Sequence, residues 1–209
     1  MGLASLNQRK KVWFRDIACG RGPRRNARST SYQYVNGRPL MIGVLLLVAC
    51  AGPPGPAMPP LETVGQLDLA RYSGTWYEIA AYPTWFQKGC TNTEATYTLR
   101  PDGRITVVNR CQRGPEGKID SVEGVAWVPD ASEPAKLKVR FFWPFVGDYW
   151  VIDLDPNYAY AVVGHPRRET LWILSRTPMM DEALYRSILA RLEQTHYDTA
   201  RLVKTVRNR

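Results

Sequence analysis

Four cysteines and two histidines are the chain's thiol and imidazole groups, the side chains best suited to thiol nucleophile–base pairs and to soft metal ions. Cys90 would act as a nucleophile only with a base within hydrogen-bond reach. The two candidates serve poorly: His165 lies in GHPRR, a strand end and turn that suits a solvated histidine, and His196 trails a helical segment, where it suits the helix terminus. The sequence holds no H-E-x-x-H, Walker loop, G-x-S-x-G or paired metal-ligand cluster. The inventory therefore points away from an enzyme, a metal site and a cofactor. Cysteine chemistry that remains is covalent modification at Cys50 and, for Cys90 and Cys111, either a disulfide in an oxidising compartment or two free thiols. A different interaction is open to Trp76, in YSGTWYEIAAYP, and Arg176, in LWILSRTP. A guanidinium laid on an indole face gains cation–π attraction while its donors reach nearby carbonyls.

The first 40 residues account for the charge. Nine of the 28 Lys and Arg residues lie within the first 40 positions, against one acid, Asp16, so this segment holds +8 of the net +9. The remainder carries about +1, which leaves no basic face for nucleic acid. LMIGVLLLVAC follows, with ten apolar residues from Leu40 to Ala49 before Cys50. Such a run rises only about 15 Å as a helix, half of a bilayer core, and so reads as a secretory h-region, with a buried core helix as the alternative. LVAC resembles the bacterial lipobox, with Leu47, Val48 and Ala49 at the recognition positions and Cys50 as the lipid-modified first residue. Residues 1–35 exceed what a signal peptide needs, and Val35 offers an alternative initiation residue. AGPPGPAMPP, with five prolines in ten residues, stays extended and suits a tether. The expected organisation is a leader and signal peptide over 1–49, a lipidated cysteine and tether over 50–66, and a folded domain over 67–209. Cleavage before Cys50 leaves 160 of the 209 residues, enough for one core.

That domain alternates with period two. In KLKVRF, Lys136, Lys138 and Arg140 face one way while Leu137, Val139 and Phe141 face the other. ATYTLRPDGRITVVNRC reads as a hairpin turning at Pro101-Asp102-Gly103, with Tyr97 opposite Val107 and Leu99 opposite Ile105. With WYEIAAY, SVEGVAWV, YWVIDLD, YAYAVVG and TLWILSR, the count reaches eight strands. Helical spacing occurs only in DEALYRSILARLEQ, at Ala183, Leu184, Ile188, Arg191 and Leu192, with Asp181 placed to cap it. Short links between strands and one trailing helix predict an all-β, eight-stranded antiparallel up-and-down barrel with a C-terminal α-helix on its wall. A barrel of that size leaves room for one small ligand or is filled by side chains. In the regular hairpin register Cys111 falls opposite Thr93, so a bridge requires Cys90 to fold back from the QKGC loop.

Gly74-Thr75-Trp76 resembles the G-x-W signature of lipocalins, and Arg176 matches the basic residue that stacks over that Trp in the family. GTWYEIA, TYTLRPDGRITVVNRC, AKLKVRFFWPFVGDYWVIDLD and LWILSRTP are similar to the bacterial lipocalin lipoproteins, the plant temperature-induced lipocalins and apolipoprotein D, over about Leu67 to Tyr197. The resemblance implies a lipocalin barrel with Gly74, Trp76 and Arg176 at its floor, on a lipid-binding outer-membrane lipoprotein. It further implies fatty acids and lysophospholipids as ligands and a role in envelope maintenance or stress. Ala51 after Cys50 favours the outer membrane by the same likeness. A few lipocalins isomerise lipids with a thiol, which keeps Cys90 as the rival reading.

With Leu137, Val139 and Phe141 inward, the expected lining adds Tyr97, Leu99, Ile105 and Val107 from the hairpin, Tyr149 and Val151 from the sixth strand, and Trp172 and Leu174 from the last. The same alternation aims Asp153 inward near the floor, and FFWPF places apolar bulk toward the mouth. The expected partners are one single-chain lipid and, through Cys50, a membrane; a homodimer stays open.

Overall fold

The computed structural model describes residues 58–207. The expected leader, the Cys50 anchor and the first residues of the tether lie outside that range. A one-turn helix, α1 (Leu69–Tyr72), is capped by Asp68, whose carboxylate accepts from the N–H groups of Ala70 and Arg71. Eight strands follow: β1 (Gly74–Ala81), β2 (Cys90–Leu99), β3 (Ile105–Arg113), β4 (Lys118–Trp127), β5 (Lys136–Phe142), β6 (Phe145–Leu154), β7 (Tyr160–Gly164) and β8 (Leu171–Ser175). Each pairs antiparallel with the next, β8 returns to β1, and β1 also pairs with β2, which closes the barrel. Helix α2 (Glu182–Gln194) comes next, with Asp181 as its N-cap, and a two-residue strand β9 (Val203–Lys204) ends against β1.

The hairpin register matches the sequence reading, Tyr97 opposite Val107 and Leu99 opposite Ile105. Its turn is made by Gly103, whose φ of 75° lies in the left-handed region that glycine enters without a Cβ penalty. Alternation then divides the apolar residues between two cores. Inside the barrel sit Trp76, Tyr97, Val107, Leu137 and Val151, while Ala80, Val162 and Ile173 on the outer face meet Tyr185, Ile188 and Leu192 of α2. Tyr197 closes the outer core by filling the space left at Gly164, where a Cβ would stand 2.1 Å from the tyrosine hydroxyl.

Four register shifts interrupt the ladders; one falls between Val139 and Phe142 in the β5–β6 pair, and the other three each relocate a side chain. In β6 the register shifts between Val151 and Asp153, so Asp153 does not aim into the barrel but faces outward, 2.8 Å from the Arg191 guanidinium on α2. In β1 the shift falls between Glu78 and Ala80, leaving Glu78 on the inner side with Trp76 and sending Ala80 to the helix. In β2 the shift lies between Thr91 and Glu94, beside Asn92 at φ 49°. This last bulge brings Cys90 to a Cα distance of 5.5 Å from Cys111, and the two are disulfide-bonded. Cys90 is the first residue of β2 and not part of a folded-back loop; the extra strand residue takes up the mismatch instead.

The C-terminal segment completes the wall. Strand β1 pairs with β2 only from Gly74 to Tyr77. Beyond that point the tail lies between them: Thr205 donates its N–H to the Ile79 carbonyl at 2.9 Å, and Asn92 donates to the Val206 carbonyl at 2.9 Å.

Candidate functional site

The closed end is built around Trp76, which is fully buried and donates its indole N–H to the Tyr72 carbonyl at 2.8 Å. The Arg176 guanidinium carbon stands 3.8 Å from the indole ring centroid. Its nitrogens donate to four carbonyls, those of Arg71 at 2.7 Å, Ser73 at 2.9 Å, Thr75 at 3.0 Å and Tyr72 at 3.2 Å. Gly74, at φ 102°, lies under the guanidinium, and a Cβ there would come within 3.1 Å of its nitrogen. The last strand thus grips the turn that carries the first strand into the barrel.

Above the indole lies a layer of three tyrosines. The Tyr72 ring packs on Trp76 at 5.0 Å and edge-on against Tyr97 at 5.5 Å. The Tyr149 hydroxyl bonds those of both Tyr72, at 2.7 Å, and Tyr97, at 2.9 Å. Burial pushes all three phenols up, Tyr97 to about 12, so each keeps its proton throughout the physiological range.

The cavity begins on this layer. Its free space, about 130 Å³ for the centres of water molecules, is roughly ten times what one water needs. That corresponds to roughly 300 Å³ of liquid, at the small end of ligand sites. Tyr97, Val107, Val139, Phe141, Tyr149, Trp172 and Leu174 of the expected lining border it. Ile105, Leu137 and Val151 do not: they are buried from the level of Tyr149 downward, filling the closed end. Leu99 is 39% exposed: β1 starts opposite Tyr97 and does not extend along the strand beyond that pair.

Residues outside that expected set form the upper rim. Phe86 and Gln87, in the β1–β2 connection, border the cavity from above. Arg113 fastens this connection by donating to the carbonyls of Lys88 at 2.6 Å and Phe86 at 3.0 Å. Gln87 donates to the Glu78 carboxylate at 2.6 Å and accepts from the Trp172 indole at 3.3 Å. Glu78 is 7% exposed; burial raises its pKa, opposed by hydrogen bonds from Thr205 and Gln87 and by the Arg207 charge. Its place in the Trp76, Glu78 alternation was the sequence signal for it. Around the same end, Trp143 is 83% exposed and Ile119 60%, with Trp85 and Val146 also exposed.

The catalytic alternative lacks its parts. Cys90 is held in the disulfide, and His165, expected at the surface, is buried, with Asp148 3.7 Å from one ring nitrogen and the Arg167 N–H bonded to the other. Desolvation lowers the His165 pKa and keeps the ring neutral. His196 takes a left-handed φ of 63° just past α2, a helix-end role. Among the described residues no cluster of His, Cys, Asp or Glu could hold a metal ion, and no helix is long and apolar enough to cross a membrane.

Comparison with known proteins gives the same picture. Residues 67–207 match the Lipocalin-like domain family. The chain is 44% identical over 154 residues to temperature-induced lipocalin-1 of Arabidopsis thaliana, covering 69% of this chain and 82% of the relative. It is 40% identical over 158 residues to the outer membrane lipoprotein Blc of Escherichia coli K12, covering 76% and 88%. Bovine apolipoprotein D is 35% identical over 129 residues, covering 58% and 66%. Among solved structures, insecticyanin from Manduca sexta superimposes with a TM-score of 0.57 at 23% identity, over 70% of this chain and 84% of that one, which bears on the fold alone.

Proposed function

The chain belongs to the lipocalin family, and from that premise we propose that it binds and stores or carries single-chain lipids, fatty acids or lysophospholipids, in its barrel. We place it on the outer membrane, anchored through an acylated Cys50 and facing the periplasm, in envelope maintenance or stress. The observation that carries the reading is the cavity between the tyrosine layer and the Phe86 connection, mostly apolar on its accessible surface and open toward the mouth. Its size supports one chain rather than two. Energetics favour the same choice: burying an acyl chain contributes roughly 0.8 kcal/mol per methylene leaving water, but a lipid already in a bilayer has collected that gain. Single-chain lipids, which have an appreciable free concentration, keep it. The exposed Trp143 and Ile119 around the mouth support loading from a membrane surface. The Cys90 disulfide supports a binding protein over a thiol enzyme.

Titration of delipidated protein is expected to show palmitate or a lysophospholipid displacing a fluorescent fatty acid well ahead of a two-chain phospholipid. The reverse order, or no displacement, would reject the reading. Replacement of Cys50 by Ala should release the protein from the membrane fraction and abolish incorporation of labelled palmitate.

A further inference from the structure

The three tyrosine hydroxyls between the floor and the cavity carry three protons but share only two hydrogen bonds, both through Tyr149. One proton is left over in every arrangement. If it belonged to Tyr72, a buried donor with no other hydrogen-bond acceptor among the described residues would be stranded below the cavity, which costs about 1–3 kcal/mol. The two remaining arrangements put it on Tyr97 or on Tyr149, and both of these border the cavity. Tyr97 and Tyr149 therefore bring a single spare O–H donor to the bottom of a chamber whose accessible lining is mostly apolar, with Glu78, Gln87 and Arg113 at its upper rim. The charge around it decides which acceptor fits. Arg176 is the cation beneath, but its nitrogens are committed to four backbone carbonyls on the far side of the indole. An ionised carboxylate placed here would be buried without a counter-charge, a heavy penalty. A neutral oxygen faces no such cost.

We propose that the Tyr97/Tyr149 edge is a polar subsite that receives a neutral acceptor oxygen, a carbonyl or hydroxyl, at the leading end of a single-chain lipid that enters the barrel oxygen first. The inference rests on the lipid-carrier reading and adds to it an orientation and a ligand class: long-chain ketones, aldehydes or alcohols, or chains oxygenated at the end remote from an acidic head group. A plain fatty acid bound methyl end down leaves the donor facing a methyl group, and is the weaker ligand for the same buried length.

Dodecan-2-one labelled with 13C at the carbonyl is the probe, bound to delipidated protein and observed by NMR. In the wild-type protein the bound carbonyl resonance should lie downfield, as for a hydrogen-bonded ketone, and be shielded from a water-soluble paramagnetic agent. Tyr72→Phe should leave it in place, since two hydroxyls joined by one bond still have one proton to spare. A triple Tyr72→Phe/Tyr97→Phe/Tyr149→Phe variant, which strands no polar partner, should return the resonance to its apolar position and weaken the ketone by roughly three- to tenfold. The readout is the ratio of ketone to palmitate affinity, which should fall by the same factor in that variant whatever the change in cavity shape does to both ligands. A bound carbonyl that is broadened by the agent, or that keeps its shift and affinity in the triple variant, would overturn the inference while leaving the carrier reading intact. Failure of both ketone and palmitate to bind would overturn both.

Discussion

Replacing Arg176 by Met tests whether the floor is held by the guanidinium or merely covered by it. The substitution keeps an unbranched apolar stem over the indole and removes the charge and every donor. The cation–π contact at 3.8 Å is worth about 0.5–2 kcal/mol. Hydrogen bonds from a charged group contribute about 1.5–3 kcal/mol each in burial, but four acceptors crowd one half-exposed guanidinium, three of them on a single nitrogen. Counting that cluster as one to two effective bonds and discounting for solvent gives a total near 3 kcal/mol for the substitution. For a domain of about 150 residues this lowers Tm by about 6–12 °C. Arg176→Lys retains the charge but not the fork, and should fall between the two. Thermal unfolding followed by near-UV circular dichroism reads both. A double-mutant cycle with Trp76→Phe should return a coupling of about 0.5–2 kcal/mol. An Arg176→Met protein within 0.5 kcal/mol of wild type would refute the argument, because the carbonyls of residues 71, 72, 73 and 75 would then have adequate partners without it.

Three further outcomes are expected. Glu78 has a pKa raised above its unfolded value of about 4.5, so the folded state holds the proton more tightly, and its contribution to stability is greatest below that value and lost as pH rises through the folded one; Glu78→Gln should remove this part of the slope in denaturant titrations between pH 4 and 8, and an unchanged slope would contradict it. Reduction of the Cys90–Cys111 disulfide opens a loop with a sequence separation of 21, which should cost about 3 kcal/mol in a urea midpoint comparison. Trp143→Ser should leave stability within about 0.5 kcal/mol, since the ring is 83% exposed, yet slow fatty-acid uptake from vesicles relative to uptake from monomeric solution in a stopped-flow assay.

What could be read from the sequence was what period-two alternation and turn chemistry encode locally. The hairpin register, the strand count, the α2 cap at Asp181 and the inward set around Val107, Val139 and Trp172 all follow from neighbours a few residues apart. Bulges escaped, because Ile79 and Ile152 carry no residue signature and Asn92, a residue type that tolerates its φ of 49°, is flanked by threonines that read as regular strand. That is why Asp153 was expected inside and why Cys90 was placed in a loop. Leu99 was misjudged for a related reason: alternation gives its face, but only the starting point of β1, opposite Tyr97, decides whether that face is covered. Tyr72 was invisible as a site residue, since it lies on a one-turn helix ahead of the first strand and meets Tyr149 across 77 positions. His165 is buried by Asp148 and Tyr197, both remote in sequence.

The two ends of the barrel are fastened by different means, and the difference determines where exchange can happen. At the floor, Arg176 and Trp76 tie β8, β1 and α1 together through buried groups about a hundred positions apart, and the tyrosine layer sits directly on them. Opening that end would expose the indole, strand several carbonyls and break the hydroxyl chain in one step. At the mouth, the connection over the cavity is held by Gln87 and by Arg113, whose side chain is 35% exposed. The Arg113 bonds can trade for water at little cost, whereas freeing Gln87 also takes one hydrogen bond from the buried Glu78, which keeps its bond from Thr205. Local opening draws on the elements with fewest buried contacts, so the proposed lipid exchange is expected at the mouth, beside Trp143 and Ile119. The β1–β2 gap bridged by Thr205, Val206 and Arg207 is held more firmly, because the buried Glu78 depends on Thr205 and on the Arg207 charge and would lose both if the tail lifted. On the proposed carrier reading, a barrel fastened this way fills and empties through one end while the other would hold the ligand's leading atoms beside Tyr97 and Tyr149.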